Sequence, residues 1–203
     1  MARRQPEGEF RRRAGRRSPS PTILIVCGGK TEKLYFRGLK RELHLGSAIT
    51  VLIESKDPRR ILDRVETEIK QLPGFLRQAW AVFDKDDFAA FEGIVRGGCT
   101  VAGQPVGLAF SNPCFELWLL LHFGPWTRDC SGADIERELK TKSGFENYEH
   151  GEDVWDLVAH LRAEAMRNAE ELEQRRQRDG RPEGCCPSTA VHQLMAALEQ
   201  TED

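Results

Sequence analysis

The sequence predicts an α/β fold, a mostly parallel sheet with helices on both faces, followed by a helical C-terminal extension. Three observations predict it. Short runs rich in β-branched residues alternate with stretches of helical periodicity across residues 22–125. The runs are continuously apolar rather than alternating, as parallel strands buried on both faces require. From about Ser131 onward the pattern becomes purely helical. Strand and helix in alternation favour right-handed crossovers, which place helices against the sheet.

The first strand is Thr22 to Cys27, stopped by Gly28-Gly29. A helix follows from about Lys30 to Leu43, with Leu34, Leu39 and Leu43 joined by Tyr35 and Phe36 at helical spacing, and Gly46 with Ser47 closes it. Ile49 to Ile53 is the second strand. Pro58 then opens a helix in which Ile61, Leu62, Val65 and Ile69 recur every three or four residues, and Pro73-Gly74 stops it. The third strand, Ala79 to Phe83, runs into Asp84-Lys85-Asp86-Asp87, and Phe88 to Val95 reads as another helix. Val106 to Phe110 is the fourth strand. Pro113 to Phe123 follows as a helix apolar almost all round, which implies burial. The later helices are Asp134–Leu139, Val154–Leu172 and Thr189–Leu198, and the charged stretch from Arg167 to Arg181 reads as a solvated helix end and loop.

A chain of 203 residues suits one domain with a tail. The expected division is an Arg-rich disordered tail over 1–21 and a domain over 22–203, itself an α/β core over 22–125 and a helical part over 126–203. The net charge of −2 conceals an asymmetry, since the tail holds seven arginines against Glu7 and Glu9. Such a tail either lies along phosphates or simply solubilises the chain. No apolar stretch is long enough for a signal peptide or a membrane span, so a cytoplasmic protein is expected. The six cysteines show no C-x-x-C pair and read as reduced thiols, and no histidine stands at zinc-ligand spacing with them.

In open α/β sheets ligands bind beyond the carboxyl ends of the strands. Three strand ends carry polar clusters: Gly28-Gly29-Lys30-Thr31-Glu32, Asp84-Lys85-Asp86-Asp87, and Ser111-Asn112-Pro113-Cys114-Phe115-Glu116. Parallel strands bring these to one edge. Asp84 and Asp86 stand two apart as a strand runs out, so both can offer hard oxygen ligands to Mg²⁺ or Mn²⁺; an acidic turn capping the next helix is the other reading. Gly29 lets the backbone approach a ligand, and Lys30 sits where a helix N-terminus meets phosphate. This is not a P-loop, because position 24 is Leu where that motif needs glycine. Glu32 lies in the first helical turn, where a carboxylate suits the helix dipole with or without a further role. Asn112 is expected as the N-cap of the helix opened by Pro113, with Glu116 one residue past the capping-box position. Glu116 is the one charge from Ser111 through Phe123, and in such company it needs a partner. His122 reads either as a general acid or base or as a hydrogen-bonded histidine at a helix end.

The segments Ile23 to Glu32, Val82 to Phe88 and Phe110 to Trp118 together resemble the RloB family of bacterial proteins, and Cys186-Pro187-Ser188-Thr189-Ala190-Val191 is similar to that family's Asn-Pro-Ser-Thr segment. The resemblance implies a core related to the Toprim fold and a role in phage defence beside an ATPase of the AAA or ABC-like kind. It assigns metal binding to Asp84 and Asp86 and makes Glu116 a further acid. It implies a nuclease that takes Mg²⁺ or Mn²⁺ and acts on RNA, tRNA included, or on DNA, with Glu116 or Glu32 completing the site and Lys30 on phosphate. The departure lies at Gly28, where the family pattern places a glutamate. Glu32, one turn on, is the candidate to compensate. His150 stands in Tyr148-Glu149-His150 where relatives carry Lys, which makes phosphate neutralisation there depend on pH. A non-catalytic binding or regulatory subunit of an ATPase-containing complex is the alternative.

Overall fold

The computed structural model describes residues 22–200 apart from 47, 55, 56, 72–75, 86, 87 and 89. The Arg-rich tail, Ser47, the Pro73-Gly74 stop and the Asp86-Asp87 pair lie outside the described residues. The chain runs β1 (Thr22–Cys27), α1 (Lys30–Glu42), β2 (Ile49–Ile53), α2 (Pro58–Gln71), β3 (Leu76–Asp84), α3 (Phe91–Gly97), β4 (Thr100–Val101) and β5 (Gln104–Asn112). It continues as α4 (Glu116–Leu121), α5 (Gly132–Leu139), α6 (Trp155–Val158), a 3₁₀ turn (Ala159–Leu161), α7 (Arg162–Arg178), β6 (Ser188–Thr189) and α8 (Val191–Glu199).

The sheet has the order β2-β1-β3-β5-β4, with β1, β2, β3 and β5 parallel. The fold is therefore α/β with a mostly parallel sheet, as the apolar runs predict. β4 and β6 pair antiparallel with opposite ends of β5. From β1 the chain crosses to β2 on one side, then back past β1 to β3 on the other. Right-handed crossovers in opposite directions put their helices on opposite faces. The core follows that division. Ile23, Ile25 and Cys27 of β1 join Tyr35, Phe36 and Leu39 of α1 in one apolar cluster, while Leu24 and Val26 join Ile61, Val65 and Ile69 of α2 and Phe91 of α3 in the other.

The first cluster also takes in Leu117 to Leu121, Ile135, Leu139, Val158, Ala165, Ala169 and Leu194. The helices after residue 125 thus share one core with the sheet. All six residues of α4 are buried, as the apolar run predicts. Among the described residues no helix is long and apolar enough to cross a membrane.

Several expected boundaries are corrected. The helix expected from Val154 to Leu172 is broken into α6, a 3₁₀ turn and α7, because α6 packs on α1 whereas α7 packs on α4. The helix expected at Thr189 begins at Val191, and Ser188-Thr189 is a strand instead. β4 was not expected. It forms a hairpin with β5 through a two-residue turn, Ala102 at φ 50° and Gly103 at φ 78°, the left-handed pair that suits the twist of hairpin strands.

Gly38 on α1 lies directly under the Trp155 ring. A Cβ there would meet Trp155 Cγ at 2.2 Å. Replacing glycine inside a helix by alanine ordinarily gains about 1 kcal/mol, but overpacking a buried contact costs about 1–3 kcal/mol. Gly38→Ala is expected to lower stability in urea unfolding, and a stabilised variant would contradict this packing.

Candidate functional site

The register of the parallel strands sets the site. Cys27 pairs with Val82 and Asp84 with Ser111, so Gly29, Asp84 and Ser111 emerge at the same height where β1, β3 and β5 end. The chain leaves β1 toward β2 on one side and leaves β3 toward β5 on the other, so the edge between β1 and β3 is the topological switch point, where open α/β sheets form their crevice. A cleft of about 840 Å³ opens there. Gly29, Lys30 and Glu32 line it from the β1 side, Asp84 and Lys85 from β3, and Asn112 and Glu116 from β5 and α4. Of the residues that the sequence singles out, Gly29, Lys30, Glu32, Asp84, Asn112 and Glu116 line the cleft, His122 does not, and Asp86 lies outside the described residues.

Glu32 occupies the first turn of α1 and is 5% exposed. Its side chain folds back over Gly29, where an added Cβ would lie 2.1 Å from Glu32 Oε2. Only glycine leaves room for that carboxylate. Gly29 itself is extended (φ −132°), so space rather than an unusual backbone is what it supplies.

Glu116 is 2% exposed and finds the partners that its apolar company demands. Tyr148 Oη donates to Glu116 Oε1 at 2.7 Å, and His150 Nδ1 lies 2.8 Å from the same oxygen. Tyr148 Oη also lies 3.3 Å from Thr31 Oγ1, which in turn accepts from Gly151 N at 2.8 Å. His150 Nε2 reaches Glu136 Oε1 at 2.8 Å, so one imidazole stands between two carboxylates. Burial pushes the Tyr148 phenol well above its usual range, and the Glu116 charge adds to this, so Tyr148 remains a donor. Burial likewise raises the Cys114 thiol, helped by the nearby charges of Glu116 and Asp84.

Asn112 is not a helix cap. Its backbone pairs with Ser188 in the sheet, and its Nδ2 donates to Gly184 O at 2.6 Å, so the side chain is committed elsewhere. Pro113, Cys114 and Phe115 form the turn, and α4 starts at Glu116, which makes that carboxylate the first helical residue. His122 lies away from the cleft, 1% exposed against Tyr35 and Trp118. Its Nδ1 lies 3.0 Å from Trp118 O and must donate there, which leaves Nε2 to accept from Tyr35 Oη at 3.2 Å. That arrangement is a neutral, structural histidine.

Thr31, Glu136, Gly151, Cys130 and Cys186 also line the cleft, and of these the sequence names only Thr31 and Cys186, as members of longer segments with no role of their own. Glu136 and Cys130 belong to the helical part, and no local motif marks them. Among the described residues no group of three or more His, Cys, Asp and Glu side chains is gathered to hold a metal ion. The donors on the cleft wall are nonetheless carboxylate oxygens, the hard ligands that Mg²⁺ and Mn²⁺ take. Glu32, turned back over Gly29 at the height of Asp84, is the observation that fits a divalent cation at this edge.

Burial pulls the His122 pKa down to about 4, whereas an unfolded histidine titrates near 6.5. The unfolded chain therefore binds the extra proton between these values. Stability from this group is fully present above about pH 6.5 and falls by up to about 3 kcal/mol as pH drops toward 4. Urea unfolding of wild type and His122→Gln at a series of pH values between 7 and 4 is expected to show a shallower decline in the variant, and parallel declines would count against it.

The model of the family of RloB-like proteins matches residues 23–198. No curated protein and no solved structure matches the chain.

Proposed function

The chain belongs to the family of RloB-like proteins, and from that premise we propose that it is the nuclease subunit of a phage-defence system, acting in the cytoplasm on nucleic acid, RNA or DNA, with an ATPase of the AAA or ABC-like kind. The observation that carries the reading is the convergence of Glu32, Asp84 and Glu116, with Lys30, on one cleft at the ends of three parallel strands. Asp84 and Asp86 would hold Mg²⁺ or Mn²⁺, with Glu32 in reach of the same edge. A bound divalent cation polarises a phosphodiester and activates water. Lys30, exposed at the start of α1, is suited to contact phosphate. Glu116, held by Tyr148 and His150, is suited to orient or deprotonate the attacking water.

A second reading, a non-catalytic binding or regulatory subunit, is favoured by Gly28 in the place of the family's glutamate. Two experiments separate the readings. Wild type and Asp84→Ala are assayed on labelled RNA and DNA with Mg²⁺ or Mn²⁺, with and without the ATPase. Loss of at least about a hundredfold is expected in the variant, since a metal ligand contributes several kcal/mol to the transition state. Equal activity would sink the nuclease reading. Gly28→Glu restores the missing carboxylate and is expected to raise the Mg²⁺-dependent rate about tenfold or more; a variant that binds nucleic acid without any gain in cleavage supports the binding subunit.

A further inference from the structure

We propose that Cys130 and Cys186 are a redox pair on the rim of the cleft, converted by a hydroperoxide into an intramolecular disulfide. The two residues come from segments 56 positions apart, yet their Sγ atoms lie 3.8 Å from each other. Both are half-buried, so a small oxidant reaches them, and both line the cleft. In this they differ from Cys27, which is fully buried, and from Cys114, whose thiol is held protonated by burial and by Glu116 and Asp84.

The surroundings give the two sulfurs different tasks. With Cys130 Sγ as the donor of the sulfur–sulfur hydrogen bond, the Cys186 thiol is held below its usual range against the opposing effect of burial, with Asp129 opposing and Arg181 adding to the lowering. The shared proton pushes Cys130 well above its usual range. When Cys186 is protonated, its thiol donates to Cys130 O at 3.0 Å. Arg181 is fixed beside the pair, its Nη2 donating to Cys186 O at 2.7 Å and to Asp129 Oδ1 at 2.9 Å. Cys186 is thus the nucleophile and Cys130 the resolving thiol.

In the first step the Cys186 thiolate attacks one oxygen of hydrogen peroxide. The O–O bond breaks, an S–O bond forms, and the departing hydroxide takes a proton to leave as water. In the second, Cys130 sulfur attacks the sulfenic sulfur and gives up its proton, which leaves with the hydroxyl as a second water. Two thiols are oxidised and one peroxide is reduced to two waters. A disulfide is about 2.05 Å long, so the contact must close by nearly half. Cys130 immediately precedes Ser131, the cap of α5 that carries Glu136 to the cleft, and Cys186 precedes β6, which holds the end of β5. Oxidation therefore ties two walls of the cleft together. Any effect on turnover rests on the function proposed above; the chemistry of the pair does not.

The full chain is treated with hydrogen peroxide, alkylated, digested and mapped by mass spectrometry. A Cys130–Cys186 linkage is expected, reversed by dithiothreitol, with a rise in thermal midpoint of about 5–10 °C from closing the long loop. At pH 7 Cys186 should alkylate about tenfold faster than Cys99, after allowance for the lower nucleophilicity of an acidic thiol. Cys130→Ser, which keeps a hydroxyl donor beside Cys186, should lose the linkage and leave a sulfenic acid at Cys186 that dimedone traps; Cys130→Ala should lose the linkage with slower trapping, while Cys185→Ser retains the linkage. Peroxide-treated wild type in which both thiols remain alkylatable, or in which Cys186 is joined to Cys185, would overturn the proposal. Cleavage assays on oxidised and reduced protein form a separate arm: activity that falls on oxidation in wild type but not in Cys130→Ser supports closure, and absence of cleavage in both states bears on the nuclease reading alone.

Discussion

A carboxylate with 2% of its surface exposed, at the head of a helix whose every residue is buried, is costly unless other donors replace the water it has lost. Glu116 obtains them from far along the chain: the Tyr148 phenol and the His150 imidazole. Tyr148 meets Thr31 on α1, and His150 meets Glu136 on α5. One buried charge therefore fixes α4, α5, the 148–151 segment and the start of α1 relative to one another. The helical part cannot be a loosely attached appendage under this constraint. Its apolar residues enter the same cluster as β1 and α1.

The location of the cleft follows from a second constraint, the direction of the chain at β1 and β3. β1 hands the chain to β2 in one direction and β3 hands it to β5 in the other, so α1 and α3 diverge onto opposite faces and leave a gap between the carboxyl ends of β1 and β3. Continuous apolar runs reveal this arrangement in the sequence because a strand buried on both faces has no polar side to conceal it. The three polar clusters are therefore assignable to one edge from the sequence. Glu116's need of a partner is legible as well, since desolvation depends on local company, and Tyr148 and His150 supply it.

What the sequence concealed are pairings that need few residues or distant ones. β4 and β6 are two residues each, too short for a periodic signal, and the hairpin turn is Ala102-Gly103 rather than the more telling Asn-Gly. Asn112 carries a good capping residue's side chain ahead of a proline, but pairing with Ser188 and bonding to Gly184, more than seventy positions away, overrides the local preference. The break between α6 and α7 has no proline or glycine to announce it. Cys130 and Cys186 belong to no spaced motif, and only the fold brings them into contact.

The charge of the cleft bears on which ligand it can take. Glu32, Asp84, Glu116 and Glu136 line it against Lys30 and Lys85, with His150 between two of the acids. A polyanion entering such a wall meets more repulsion than attraction, and a site made only to bind phosphate would be expected to carry the opposite balance. Divalent cations reverse that balance, because each brings two positive charges to the carboxylates and presents open positions to phosphate oxygens. An acidic cleft on a protein proposed to act on nucleic acid is thus coherent with a metal-dependent reaction and less so with metal-free binding. On this reading Glu32 matters more than its place in a helical turn suggests: turned back over Gly29, it restores negative charge beside the position where Gly28 carries none.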